Sequence, residues 1–238
     1  MKVLVIGGNG SIGKRYCAIL RYLKVNYEIY EINDVLANSA PPEADRWLIA
    51  SPTSTHFEYC MEAIKRRKPF LCEKPLSKSL DQCREIRDAA QAADVDGRVV
   101  CNYKIAFEIN FGGTVFEGAL PYKYEYFNTG KDGVFWDLCQ LIYMNPNLLI
   151  DTDSPTWCLW MHQPKQPSRT FVDAEKPQPS IFILECLEQS YRQMIQAWFR
   201  DNPKWPNLGI ESLWSLDDGV NMTKAVIERM EREKVKIL

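Results

Sequence analysis

No stretch of the sequence approaches the ~18–20 consecutive apolar residues that a membrane-spanning helix requires, so a chain organised around such spans is excluded. A basic start followed by an apolar run and a small-residue cleavage site is also lacking. Residues 1–6 pass directly into a strand pattern, so no secretion signal is expected and the cytoplasm is the expected compartment. Charge of one sign is not in excess: 29 Lys and Arg against 31 Asp and Glu leave a formal charge of -2. So weak a field draws in neither nucleic acid nor an anionic membrane surface, and a small molecule is the expected partner. Histidine is scarce. Only His56 and His162 exist to join the thiols, neither at a ligand spacing, so no metal site is expected. Cysteine is not scarce, but Cys17, Cys60, Cys72, Cys83, Cys101, Cys139, Cys158 and Cys186 lack any Cys-x-x-Cys pairing. They read as reduced, small apolar core residues of a reducing compartment.

What is present is a 46% apolar composition, enough for real cores in 238 residues, arranged as alternating strand and helix patterns. Residues 2–6 are nearly continuously apolar, as in a parallel strand covered on both faces. Helical spacing of Tyr16, Ile19, Leu20 and Leu23 predicts a helix over 13–24, followed by a strand over 25–32. Pro41-Pro42 interrupts any helix before a strand at 47–50. A helix over 56–68, a strand over 69–72, a helix over 79–93 with Ser79 as N-cap, and a strand over 98–103 complete the alternation. The reading is α/β: a Rossmann-type doubly wound parallel sheet over 1–104, followed by a smaller α+β domain over 105–238 with a mainly antiparallel sheet. In the second part, helices are expected over 181–200 and 216–233, either on that sheet or back across the first domain.

Gly8-Asn9-Gly10-Ser11-Ile12-Gly13 matches Gly-x-Gly-x-x-Gly between a buried strand and a helix. In that context the glycines allow a tight turn, close backbone approach to a pyrophosphate, and close packing of helix on strand, with the helix N-terminal amides facing the anion. Glu31, at the end of the second strand, lies where a carboxylate accepts hydrogen bonds from the adenosine ribose. NAD(P)H is therefore the expected cofactor, with NAD(H) favoured because a carboxylate repels a 2′-phosphate. Lys14 or Arg15 folding over such a phosphate keeps NADP open.

Three further segments carry a resemblance. Ala50-Ser51-Pro52-Thr53-Ser54-Thr55-His56, Cys72-Glu73-Lys74-Pro75-Leu76 and Asn102-Tyr103-Lys104 stand in order along the chain. With the glycine loop they resemble the glucose-fructose oxidoreductase, inositol dehydrogenase and MocA (Gfo/Idh/MocA) family, over residues 1 to about 104. The resemblance implies nicotinamide-dependent hydride transfer, with Lys74 pointing at the reacting carbon of the substrate. An ammonium there stabilises developing charge on oxygen or passes a proton. It also implies that Ser51, Pro52, Thr53 and Asn102 line the cofactor cleft, and that Glu73 holds the nicotinamide ribose or orients Lys74. His56 matches a family position and equally suits a purely structural role.

The resemblance also implies an Asp-x-x-x-His pair in the second domain, the histidine serving as acid or base. Gly133-Val134-Phe135-Trp136-Asp137 resembles the turn before it, but position 141 is Leu141. A leucine exchanges no proton. Asp137 is left as either a catalytic residue or a helix N-cap, and Lys74, Tyr103, Tyr143 or water as the proton source. A reductase is the expected direction, acting on a bilin as biliverdin-reductase-like members do, or on a sugar or cyclitol. A dinucleotide-binding sensor without turnover is the reading of another class. Lys65-Arg66-Arg67-Lys68 reads as a solvated helix end. The tryptophans Trp136, Trp157, Trp160, Trp198, Trp205 and Trp214 read as core, as a subunit interface or as an aromatic wall, and a homodimer is expected.

Overall fold

The computed structural model describes residues 1–31, 33–34, 39–111, 121–125, 133–151, 158–163, 166–170, 181–199 and 213–233. It divides into two units, residues 1–100 with 195–223, and residues 101–194 with 224–238.

In the first unit, the described residues up to 100 form, in order, β1 (Lys2–Ile6), α1 (Ser11–Tyr22), β2 (Asn26–Tyr30), β3 (Arg46–Ile49), α2 (His56–Lys65), β4 (Phe70–Cys72), α3 (Leu80–Ala92) and β5 (Gly97–Val99). The strands pair in parallel in the order β5-β4-β3-β1-β2, and a short strand, Trp214–Ser215, adds antiparallel to the outer edge of β5. This is the Rossmann-type arrangement, with the order reversing beside β1. Val3, Leu4, Val5, Trp47, Leu48, Ile49, Phe70, Leu71 and Cys72 are fully buried, as strands covered on both faces demand. Each large apolar side chain so buried contributes roughly 1.5–3 kcal/mol before chain entropy is set against it. Helix α1 turns Tyr16, Cys17, Ile19 and Leu20 inward. Ser79 caps α3, its hydroxyl accepting the Gln82 amide.

Later residues complete this unit. Thr223 donates its hydroxyl to the Ser77 carbonyl at 2.9 Å. Arg46 donates to the Trp198 carbonyl at 3.0 Å while its guanidinium lies 5.5 Å from that indole's centroid. At the end of α2 the basic run has Lys65 and Arg67 exposed, while Arg66 meets Glu62 at 2.7 Å and Lys68 meets Glu43 at 3.1 Å.

The second unit holds a four-stranded sheet of β6 (Pro121–Glu125), β7 (Leu149–Asp151), β8 (Cys158–Gln163) and β9 (Gln166–Thr170) in the order β7-β6-β8-β9. β6–β8 and β8–β9 are antiparallel and β6–β7 parallel, so the sheet is mainly antiparallel. With it come α4 (Asn102–Phe111), α5 (Val134–Asp137) and α6 (Cys139–Met144). The chain also forms α7 (Ile181–Trp198) and α8 (Leu216–Arg232).

Two local expectations need correction. The strand expected over 98–103 stops at Val99, and Asn102 and Tyr103 open α4. The reason is a remote cap: the Gln140 carboxamide oxygen accepts the Tyr103 amide at 3.1 Å, and its nitrogen donates to the Asn102 side-chain oxygen at 2.7 Å. Asp137 is not a helix N-cap. It closes the one-turn α5, its amide donating back to the Gly133 carbonyl at 3.0 Å, and Gly133 supplies the turn with a φ of +88°.

Cys17, Cys60, Cys72, Cys83, Cys101 and Cys139 are free thiols and all buried. Trp136, Trp198 and Trp214 are buried. Trp157, Trp205 and the side chains of Trp160, His162, Cys158 and Cys186 fall outside the described residues. Among the described residues no helix is long and apolar enough to cross a membrane.

Candidate active site

The carboxyl ends of β1, β2, β3 and β4 carry most of the residues singled out in the sequence, because parallel strands deliver all their following loops to one edge of the sheet. At the end of β1 the chain turns at Gly7, whose φ is +78° and whose amide donates to the Tyr30 carbonyl at 3.1 Å. A Cβ on Gly7 would stand 2.7 Å from the Ser51 Cα and 2.8 Å from the Ala50 carbonyl oxygen. The left-handed turn and the close approach to the β3 end thus belong to Gly7, one residue before the motif as read from the sequence. The Gly7-Gly8 doublet at the strand end was the available signal. Gly13 sits tighter still: a Cβ there would lie 2.0 Å from the Gly7 carbonyl oxygen and 2.7 Å from the Gly8 Cα. Helix α1 can therefore begin against the strand end only because residue 13 has no side chain.

The start of α1 is left open. Gly10 is its N-cap and no side chain caps it, while Asn9, Gly10 and Ser11 are exposed and Ile12 is half-buried. The orphan amides of a first helical turn, with the positive end of the helix dipole, remain for an external anion. Glu31 reaches this loop, its Oε1 accepting the Asn9 amide at 2.6 Å. It follows β2 directly, and its own amide donates to the Asp34 carboxylate at 2.7 Å. Beneath the loop, burial pushes the Cys17 thiol upward in pKa, so it stays a protonated packing group.

After β3, Ser51, Pro52 and Thr53 lead into a turn of 3-10 helix and then α2. The Thr55 hydroxyl donates to the Pro52 carbonyl and lies beside the Ser51 hydroxyl, both at 2.8 Å. His56, 1% exposed, has Nδ1 2.9 Å from the Pro75 carbonyl oxygen and Nε2 2.9 Å from the Ser51 carbonyl oxygen. The ring lies between the loop after β3 and the loop after β4.

After β4 comes Glu73-Lys74-Pro75, with a cis Lys74–Pro75 peptide. Glu73 is only 7% exposed, and a carboxylate held that deep needs donors. The Tyr16 hydroxyl donates to its Oε1 at 2.6 Å and the Lys74 amide to its Oε2 at 3.1 Å. Lys74 is half-buried. Behind the loop, Cys72 is held well above the ordinary thiol range by burial, reinforced by a hydrogen bond with Cys60. Burial likewise raises Cys83 to about 11, partly offset by its hydrogen bonds with the Thr223 hydroxyl and the Ser77 backbone. These thiols are packing groups, not nucleophiles.

The first unit thus brings together Gly8 to Gly13, Glu31, Ser51, Pro52, Thr53, His56, Glu73 and Lys74. Asn102 and Asp137 belong to the second unit. There Asn102 is buried against Gln140, and Leu141 is 0% exposed, a core residue. Tyr16 was missed as a site residue and read only as core. Its signal was a phenol on an apolar helix face, since a buried hydroxyl needs a partner.

The family described as "Oxidoreductase family, NAD-binding Rossmann fold" matches residues 21–100. Over those residues the chain is similar to the Gfo/Idh/MocA oxidoreductases. Among curated proteins, inositol 2-dehydrogenase of Pseudomonas fluorescens (strain SBW25) is 39% identical over 70 residues, covering 29% of this chain and 20% of that protein. Glucose-6-phosphate 3-dehydrogenase of Bacillus subtilis (strain 168) is 27% identical over 128 residues, 46% of this chain and 36% of that protein. These matches span well under half the length of either relative. A probable dehydrogenase from Thermotoga maritima shares the fold at a TM-score of 0.70 and 16% identity, covering 98% of this chain and 97% of that one.

Proposed function

We propose that the chain is an NAD(H)-dependent oxidoreductase acting on a sugar- or cyclitol-like carbonyl or alcohol. The observation that carries this reading is the glycine loop. Its backbone is packed so closely at Gly7 and Gly13 that side chains are excluded, and it leaves the first turn of α1 uncapped beside the Glu31 carboxylate. A diphosphate fits those amides and ribose hydroxyls fit Glu31. The bound dinucleotide would supply the hydride. Glu31 favours NAD(H) over NADP(H), because a second negative charge beside this carboxylate is repelled.

The remaining steps fall to the chain's own side chains. Lys74 follows β4 on the same sheet edge and is the group for stabilising or protonating a substrate oxygen. The substrate class rests on the relatives' names, an inositol 2-dehydrogenase and a glucose-6-phosphate 3-dehydrogenase. With a buried leucine at the position where the family resemblance implies a histidine, Lys74 is the group left to exchange the proton, as acid towards a carbonyl in reduction and, once neutral, as base towards an alcohol in oxidation.

The test begins with fluorescence titration of NADH and NADPH, followed by loss of reduced-cofactor absorbance against keto-sugars, inosose and biliverdin. NADH is expected to bind at least about tenfold tighter than NADPH. Lys74→Ala is expected to cut kcat by about 10²–10⁴-fold while leaving the Kd for NADH within about twofold. Tight NADH binding without turnover of any substrate would replace this reading with a dinucleotide sensor. Absence of cofactor binding would remove both.

A further inference from the structure

Lys74 stands on a loop whose two flanking residues are both tied to other elements. On one side, Glu73 receives the Tyr16 hydroxyl from α1 at 2.6 Å. On the other, the Pro75 carbonyl faces His56 Nδ1 from α2 at 2.9 Å, and the same ring's Nε2 faces the Ser51 carbonyl at 2.9 Å. Tyr16 is 0%, His56 1% and Glu73 7% exposed, so water does not compete for these contacts. A loop residue between two such anchors loses backbone freedom on both sides of its Cα. Its side chain then starts from a fixed point.

We propose that Tyr16 and His56 are positioning residues, a two-point brace that fixes the backbone of Lys74 relative to the cofactor loop. Tyr16 lies one helical turn beyond Gly13, and the Ser51 carbonyl follows the β3 end against which Gly7 packs. The brace therefore ties the lysine to the same two structures that form the dinucleotide site. Its function rests on the oxidoreductase reading of Lys74; its geometry does not. Neither residue touches the reacting atoms in this account. Tyr16 acts through the Glu73 carboxylate; His56, whose neutral ring has one N–H, donates to one of the Pro75 and Ser51 carbonyls and packs against the other.

The test uses the full chain with Tyr16→Phe, which deletes one hydroxyl and keeps the ring, and with His56→Gln, which probes the other anchor. Two measurements are made on each: hydrogen–deuterium exchange of the peptide over residues 70–77, and steady-state kinetics with NADH. Exchange is expected to rise about tenfold or more in either variant. kcat should fall about 10–100-fold, with KM for NADH within about twofold of the parent. Because Tyr16 acts through Glu73, Tyr16→Phe combined with Glu73→Gln should be no slower than the slower single variant. Exchange within twofold of the parent in both variants would overturn the brace, as would kcat losses that multiply in the double variant. If one variant fails to fold, the other decides by the same readouts. A parent protein that binds no NADH would end the oxidoreductase reading, while the exchange measurement would still decide the brace.

Discussion

The two units differ in how their polar groups are used. In the first, the polar residues after β1, β2, β3 and β4 converge on one sheet edge. Several sit where they strain against burial: an acid 7% exposed, a histidine 1% exposed, and two glycines with no room for a methyl group. In the second, the residues around the sequence-identified turn are spent on packing. Phe135, Trp136, Leu138, Cys139, Leu141 and Ile142 are buried, and Gln140 uses its carboxamide to cap α4. The difference lies in where buried polar groups stand: in the first unit they gather after strand ends at one sheet edge, while in the described part of the second Asn102, Gln140, Ser190, Gln193 and Arg229 are buried on helices.

That contrast can be broken by substitution. The largest effect is expected from Gly13→Ala, because its new methyl carbon would meet backbone at 2.0 Å. The variant should lose measurable NADH binding and about 4 kcal/mol of stability, read by fluorescence titration and a denaturant melt. Normal NADH affinity in Gly13→Ala would mean that the loop is not the cofactor cradle. Next comes Leu141→Ala in the second unit, expected to cost about 3 kcal/mol as a cavity while leaving the Kd for NADH within about twofold. A tenfold loss of NADH affinity there would erase the distinction between the units.

The smallest effect concerns the thiols under the first unit's loops. Cys83 is raised from an ordinary 9.0 to about 11, burial being the chief cause. The folded state then holds this proton more tightly than the unfolded chain does. Stability from this group is complete below pH 9.0 and falls as pH climbs towards about 11, by about 2 kcal/mol in all. Urea melts from pH 8 to 11 should follow that slope, and Cys83→Ser, whose hydroxyl does not titrate in this range, should flatten it. An unchanged slope in Cys83→Ser would assign the alkaline loss to other groups.

Legibility in the sequence followed the range of the interactions. The continuous apolar run of β1, the helical spacing of Tyr16, Ile19 and Leu20 and the Ser79 cap each depend on neighbours a few residues away, and each is present in the structure. The strand expected over 98–103 failed because its last residues are capped into a helix by Gln140, some 37 residues onward. The N-cap alternative for Asp137 failed for a related reason. The positive φ of Gly133 starts a single helical turn that Asp137 ends, and no sequence period marks so short an element. In the glycine loop the motif was visible, but its strained turn was placed one residue late, since only the contact of Gly7 with the β3 end identifies it.

The sequence by itself determined the alternation of strand and helix, the glycine loop, the acid after the second strand and the lysine after the fourth. Those features are written in local spacing and residue chemistry. Only the tertiary structure decided that Tyr16 holds Glu73 from 57 positions away, that His56 bridges two loop carbonyls, and that Leu141 is core. The physical reason is that a buried polar group takes whichever partner the packed elements bring within hydrogen-bonding distance, and that choice is made by the folded chain as a whole.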